Sequence, residues 1–182
     1  MDGPRWAKLA VAAMDRSLAF YDATRGGLEP CSRLSCPAAL GAPLCLAQVP
    51  AGVGGAEAAG APGQRQRQSA LAWGDTSGSV LLLHAEPPPP CGERALGPAD
   101  YALLHQDHRD WVTQLHAVPG AGLVSSSLDA TLRLYDAGRG QVSATCALHA
   151  KGVRAFAYSD AYSGEQQGGG GGIQSMLAGL SA

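Results

Sequence analysis

The stretch from His108 to Asp136 constrains the fold more than any other part of this 182-residue chain. It reads HRDWVTQLHAVPGAGLVSSSLDATLRLYD and contains three short strand patterns. Val112–Val118 alternates apolar and polar residues and stops at Pro119-Gly120, and it is followed by two further strands, Leu123–Ser127 and Thr131–Tyr135. Short strands about ten residues apart, separated by turn residues, are typical of all-β architectures built from small antiparallel sheets.

The same pattern recurs near the start of the chain. Leu9–Gly26 aligns without a gap on Leu123–Gly140, which places Asp15 on Asp129 and Tyr21-Asp22 on Tyr135-Asp136. Self-similarity of this kind indicates repeated supersecondary units.

Two further copies are less regular. Leu71–His84 has a turn at Ser77-Gly78 but lacks both the turn Asp and the aromatic-Asp pair, because Asp75 comes two residues early. An alternating strand at Gly152–Asp160 begins a fourth copy, which would continue at Met176–Ala182. Insertions separate the strands: a Gly/Ala/Gln-rich one at Ala51–Gln68, one at Glu86–Asp100 that contains Pro87–Pro90, and a polyglycine one at Gly164–Gly172. We expect these insertions to lie in surface loops that leave the sheets undisturbed.

These segments resemble the blades of a WD-repeat (WD40) β-propeller, with Asp107-His108 in place of the usual Gly-His pair and Tyr135-Asp136 in place of Trp-Asp. The order of KLAVAAMDRSLAFYD, LAWGDTSGSVLLLH, HRDWVTQLHAVPGAGLVSSS and HAKGVRAFAYSD is more specific. It is most similar to the EF-hand/WD-repeat proteins associated with cilia and sperm tails. The calcium-binding hands of that family would precede residue 1, so calcium binding is not carried over.

The resemblance implies an all-β fold, a partial WD40-type propeller of about three four-stranded antiparallel blades with disordered Gly/Ala/Pro-rich loops. Residues 7–36 would form a partial blade, 43–105 a blade with long insertions, 108–149 the best-formed blade, and 152–182 the start of another.

The resemblance also implies a structural hydrogen-bond network in the blade at 108–149. His108 would contact the turn carboxylate of Asp129, and Ser125, with Ser127 on the same face, would bridge to Tyr135. Only this blade is expected to have a complete network. The remaining signature positions of the repeat are Asp15, Tyr21, Asp22, Asp136 and His149.

The same residue types also offer a catalytic alternative. A small hydrolase would use His108, Asp129 and Ser127 as a triad, and a metal-dependent enzyme would add zinc held by Cys31 and Cys36 with His105 or His108. However, no nucleophile elbow or glycine turn for an oxyanion hole accompanies the serines, and the two cysteines lack the spacing of a zinc knuckle. We therefore expect a non-enzymatic protein with no catalytic residue, no cofactor and no metal.

Charge and hydropathy restrict the classes of partner and the compartment that we expect. The net charge of −2 and the pI near 6.2 give no basic surface for nucleic acid or an anionic membrane. No apolar run reaches the roughly 18 residues that span a bilayer, and the N-terminus lacks the apolar core of a secretory signal. The five scattered cysteines are expected to be reduced. We expect a cytoplasmic protein, and the resemblance adds the cilium or axoneme.

The number of blades predicts exposed blade faces. A closed propeller usually has about seven blades of about forty residues, so three and a fraction leave two apolar faces with free strand edges. The chain is then either a fragment of a longer product or is covered by further blades or another chain, and its expected partners are other proteins. Trp111, at the start of a strand, would be either an anchor for a partner or a cap on the core between blades.

Overall fold

A computed structural model describes residues 8–23, 27–49, 70–84, 92–147 and 149–159. Within these ranges the regular secondary structure is β-strand throughout, and no helix there is long and apolar enough to cross a membrane. The strands are β1 (Lys8–Ala13), β2 (Ser17–Asp22), β3 (Glu29–Ser35), β4 (Pro43–Val49), β5 (Ala70–Asp75), β6 (Val80–Leu83), β7 (Gly92–Ala95), β8 (Tyr101–His105), β9 (Val112–Val118), β10 (Gly122–Ser127), β11 (Leu132–Asp136) and β12 (Gln141–Cys146).

The described strands form three sheets of four strands each. The first sheet has the order β1-β2-β3-β7, the second β4-β5-β6-β8, and the third β9-β10-β11-β12. All neighbouring pairs are antiparallel except β3 and β7. This arrangement confirms the all-β partial propeller predicted from the sequence.

The core lies between neighbouring sheets, because side chains alternate between the two faces of a strand. Trp73, Leu81 and Leu83 of the second sheet pack against the first sheet, where they meet Leu18 and Leu34. The residues between them face the other way: Ala72, Val80 and Leu82 pack against the third sheet. The second sheet is therefore buried on both faces, which explains why all four residues of β6 are buried.

The insertion before β8 was expected to lie outside the sheets. In the structure part of it joins the first sheet. Its strand β7 pairs parallel with β3 of the first sheet, with Ser32 opposite Gly92 and Ser35 opposite Ala95. The next residue, Leu96, donates its N–H to the carbonyl oxygen of Ser35 at 2.9 Å and is buried in the core between the first two sheets. The prediction of an undisturbed sheet was wrong because a free strand edge offers unpaired backbone groups to any extended segment that can reach it.

The strand predicted at Gly152–Asp160 is also different in the structure. Residues 149–159 are described, and none of them belongs to a ladder. They run alongside β9 instead, and we call them the docked segment. The insertions at Ala51–Gln68 and Gly164–Gly172, the prolines 87–90 and the continuation at Met176–Ala182 lie outside the described residues.

Candidate functional site

The β1–β2, β5–β6 and β10–β11 turns of the three sheets share one geometry. Arg16, Gly78 and Ala130 each take a left-handed backbone conformation, with φ of 65°, 82° and 70°. Such values are unusual for residues other than glycine, so their recurrence at equivalent turns shows that the three units are structural repeats. At Gly78 the glycine is also required by space, since a Cβ there would collide with the carbonyl oxygen of His108.

The turn of the third sheet carries a chain of buried hydrogen bonds. His108 Nδ1 lies 3.1 Å from Asp129 Oδ2, and His108 Nε2 lies 2.8 Å from Ser125 Oγ. Asp129 accepts further hydrogen bonds from the backbone N–H of Arg109 and from the N–H and hydroxyl of Thr131. A carboxylate can only accept, so in the neutral ring Nδ1 carries the proton and Nε2 accepts the hydroxyl proton of Ser125.

These contacts set the charges of the site. Burial alone would raise the pKa of Asp129, but the hydrogen bonds from Thr131, Arg109 and His108 hold it well below its ordinary range. Burial lowers the pKa of His108, and the neighbouring Asp129 only partly opposes this. The pair therefore consists of a carboxylate and a neutral imidazole near neutral pH.

Tyr135 does not join this chain of hydrogen bonds within the described residues. Its ring instead stacks on His105, with ring centroids 6.0 Å apart and an interplanar angle of 21°. The repeat motif predicts a bridge from Ser125 to this aromatic residue. The structure shows Ser125 bonded to His108 instead, and Tyr135 packed across the boundary with the second sheet.

His105 has a role in this site that was not predicted from the sequence, where it is a candidate only for zinc binding. It ends β8, is 7% exposed, and lies 5.7 Å from the ring of His108. Neither ring nitrogen has a hydrogen-bond partner among the described residues, and the nearest carboxylate, of Asp107, is 3.6 Å away. Burial, reinforced by repulsion from His108 when that ring is protonated, lowers the pKa of His105 to about 4.

The second sheet has a network of its own, which corrects the expectation that it lacks the turn carboxylate. Asp75 has no exposed surface and accepts hydrogen bonds from Ser77, through both N–H and hydroxyl, and from the N–H groups of Ser79 and Gly41. The carboxylate was present in the sequence, but it lies two residues before the position that the repeat motif specifies. A carboxylate at that position still reaches N–H groups of the turn, those of Ser77 and Ser79.

The first sheet carries a more exposed version. Asp15 accepts hydrogen bonds from the N–H and hydroxyl of Ser17, as Asp129 does from Thr131, and it pairs with Arg33. The hydrogen bonds from Ser17, together with the nearby Arg33, lower the pKa of Asp15.

The remaining signature residues are dispersed. Tyr21 and Asp22 end β2, and Tyr21 is partly buried opposite Leu9. Asp136 accepts the N–H groups of Gly138 and Arg139 at the turn after β11. His149 is exposed on the docked segment. The structure does not bring these residues into one site.

The catalytic alternative finds little support in the geometry. Ser125 is the serine that reaches His108, and it has no accessible surface. Ser127, the predicted nucleophile, donates its hydroxyl to the carbonyl oxygen of Asp110 and accepts the N–H of Asp129 instead. A nucleophile must touch its substrate, and neither hydroxyl is available for that.

The cysteines of the zinc alternative do not assemble a ligand set. Cys31 and Cys36 lie on or directly after β3 in the first sheet, whereas His105 and His108 lie between the second and third sheets. In the part of the chain that the structure describes, no three His, Cys, Asp or Glu side chains are grouped to hold a metal. Burial raises the pKa of the Cys36 thiol to about 11, which favours the uncharged thiol over a metal-binding thiolate.

Trp111 lies at the surface. Its side chain is 43% exposed, and its carbonyl oxygen accepts the N–H of Leu128 at 3.0 Å. It therefore sits at the end of the third sheet that carries the β10–β11 turn. Met14, in the equivalent turn of the first sheet, is 59% exposed. We call this end of the sheets, with its three left-handed turns, the turn face.

Three four-stranded sheets with equivalent left-handed turns define part of a β-propeller of the WD40 type. The solved structures agree: this chain is similar to U3-55K, a WD40 propeller protein, with a TM-score of 0.53 and 19% sequence identity. The match covers 80% of this chain and 37% of that one, so the chain spans well under half the length of this neighbour. No family model and no curated protein matches the sequence. At this identity the likeness shows the fold alone.

Proposed function

We propose that the chain is a non-enzymatic scaffold that binds other proteins through the turn face of its propeller. The observation that carries the proposal is the contrast between buried polar groups and exposed apolar ones. The buried polar side chains are those of His108, Ser125 and Asp75, and their hydrogen bonds stabilise the turns. The exposed apolar side chains on the same face are those of Trp111 and Met14. Tryptophan is enriched among the residues that dominate binding energy at interfaces.

The test compares Trp111→Ser with a matched control, Leu103→Ser. Leu103 is 54% exposed but lies on β8, away from the turns. Immobilised wild-type chain and both variants are incubated with extract of the source cells, and captured proteins are quantified by mass spectrometry. The affinity of each specific partner is then measured with purified protein. A tryptophan that anchors a partner contributes at least about 2 kcal/mol, which is about a 30-fold loss in affinity.

The proposal requires partners that Trp111→Ser loses and Leu103→Ser retains. The same set of proteins captured by all three chains would overturn it. Hydrolysis of an ester or amide that disappears in a folded Ser125→Ala variant would favour the enzymatic alternative instead.

The resemblance to EF-hand/WD-repeat proteins supports a narrower proposal, that the assembly belongs to a cilium or axoneme. Localisation of the tagged protein in ciliated cells tests this. Enrichment along the axoneme would support it, and a diffuse cytoplasmic signal would overturn it while leaving the scaffold proposal untouched.

A further inference from the structure

The boundary between the second and third sheets contains a buried base whose hydrogen-bonding groups are unpaired in the described residues. His105 ends β8, is 7% exposed and stacks on Tyr135 of the third sheet. Both of its ring nitrogens are buried, and neither has a hydrogen-bond partner in the part of the chain that the structure describes. A neutral imidazole leaves one donor and one acceptor unpaired in this position, which costs free energy. The cost is larger for the imidazolium, because it carries a charge and two donors.

The groups that face His105 do little to stabilise its protonated form. On the connection to β9, the ring of His108 lies 5.7 Å away and is itself hydrogen-bonded to Asp129. The carboxylate of Asp107 is 3.6 Å from Nδ1 of His105, which is too far for a hydrogen bond. On β11, Arg133 acts on His105 as a nearby cation. The neighbouring strands β6 and β12 have no charged residue. A proton on His105 is therefore poorly accommodated while the boundary is closed.

The second and third sheets are held together at this boundary by apolar packing. Val80 and Leu82 of the second sheet belong to one buried cluster with Val112 and Leu123 of the third. Among the described strands no ladder joins these two sheets. The boundary between the first and second sheets differs, because β7 follows β6 in the chain and pairs with β3 of the first sheet. The boundary at His105 can therefore open without the loss of a ladder.

We propose that protonation of His105 opens the boundary between the second and third sheets, while the ladders within each sheet stay intact. In the open form the imidazolium reaches solvent and the carboxylate of Asp107, which is half-exposed beside it. Residues 106–111, which connect β8 to β9, remain the covalent link between the two sheets. The inference does not rest on the turn face or on its partners.

The size of the effect follows from the two environments of His105. In the closed boundary, burial, reinforced by repulsion from a protonated His108, lowers the pKa of His105 to about 4, whereas an exposed imidazole titrates near 6.5. The open form therefore binds the proton more tightly. The contribution of His105 to closure is complete above pH 6.5 and is lost as the pH falls towards 4. Linkage gives a rise of about 30-fold in the ratio of open to closed forms between pH 7.5 and pH 5.

Two cysteines report on the two boundaries separately. Cys45 borders the cluster between the second and third sheets, and its thiol donates to the carbonyl oxygen of Val112 on the other side. Cys36 is buried in the cluster between the first and second sheets. The 182-residue chain is treated with a dipyridyl disulfide, which reacts with thiols in mild acid, and the labelling of each cysteine is followed by mass spectrometry. Each rate is divided by that of free cysteine at the same pH, because the thiolate fraction changes with pH.

The labelling rate of Cys45 is expected to rise by up to about 30-fold between pH 7.5 and pH 5, while that of Cys36 stays unchanged. His105→Phe keeps an aromatic ring against Tyr135 but cannot be protonated, so it should abolish the rise. His105→Gln, a second variant without a titrating group at this position, should do the same. His84→Phe removes an exposed imidazole at the end of β6 and should retain the rise.

Three outcomes would overturn the proposal. Equal rises at Cys45 and Cys36 would show that acid loosens the whole fold rather than one boundary. A rate at Cys45 that does not change with pH would show that the boundary stays closed. A rise that persists in both His105 variants would assign the effect to another group.

Discussion

His105 should make the stability of this fold sensitive to mild acid. Its imidazole is buried at the boundary between the second and third sheets, with no hydrogen-bond partner for either nitrogen in the described residues. Burial, together with repulsion from a protonated His108, lowers its pKa from 6.5 to about 4 in the folded state. A group with a depressed pKa binds protons more readily when unfolded, so its stabilising effect is complete above pH 6.5 and is lost as the pH falls towards 4. Linkage gives a loss of about 2 kcal/mol between pH 8 and pH 5.

Urea unfolding of the wild-type chain and of His105→Leu at fixed protein concentration, between pH 8 and pH 5, measures this effect. The variant lacks the titrating group and should lose about 2 kcal/mol less than the wild type over that interval. The acid sensitivity that remains is expected to come from His108, because burial lowers the pKa of His108 as well. His84→Leu, which deletes an exposed imidazole at the end of β6, is the matched control. Equal losses in the wild type and in His105→Leu would refute the reasoning.

Three further predictions concern packing and turns, each measured as a free energy of unfolding. Asp75→Asn should destabilise the fold by about 2–3 kcal/mol, because an amide donor would face backbone donors in a buried turn. Asp15→Asn, at the exposed equivalent turn, should have the smaller effect, and the reverse order would contradict the assignment of Asp75. Ala130→Gly should stabilise by about 0.5–1 kcal/mol, because it relieves a left-handed conformation at φ 70°. Ala144→Gly, within β12, should destabilise, and a stabilisation by both changes would exclude this explanation. Leu96→Ala should cost about 2–4 kcal/mol and reduce hydrogen-exchange protection in β7, whereas unchanged protection would show that Leu96 does not hold the strand.

Local pattern was enough to predict the regular parts of the fold. The bounds of β9 follow from the alternation of its residues and from the Pro119-Gly120 turn that ends it. The contact of His108 with Asp129 followed from the repeat motif, because the motif specifies both residue types and their spacing.

The features that were not predicted from the sequence depend on contacts between distant parts of the chain. β7 reads GERA, with no apolar alternation, and it forms because the edge of β3 is free and Leu96 can be buried beside it. His105 carries no local signal either, since its burial comes from Tyr135 on another sheet. Asp75 was misjudged by position, because the turn selects any carboxylate that reaches its N–H groups.

The parallel pairing of β7 with β3 changes how the first two repeats respond to force and heat. In a linear repeat protein each repeat contacts its neighbours only through packed faces, and a repeat at one end can unfold alone. Here a segment that belongs to one repeat in sequence is hydrogen-bonded into the sheet of the one before it. The first repeat therefore cannot unfold without breaking its hydrogen bonds to a strand of the second repeat, and the two should unfold in a single cooperative step.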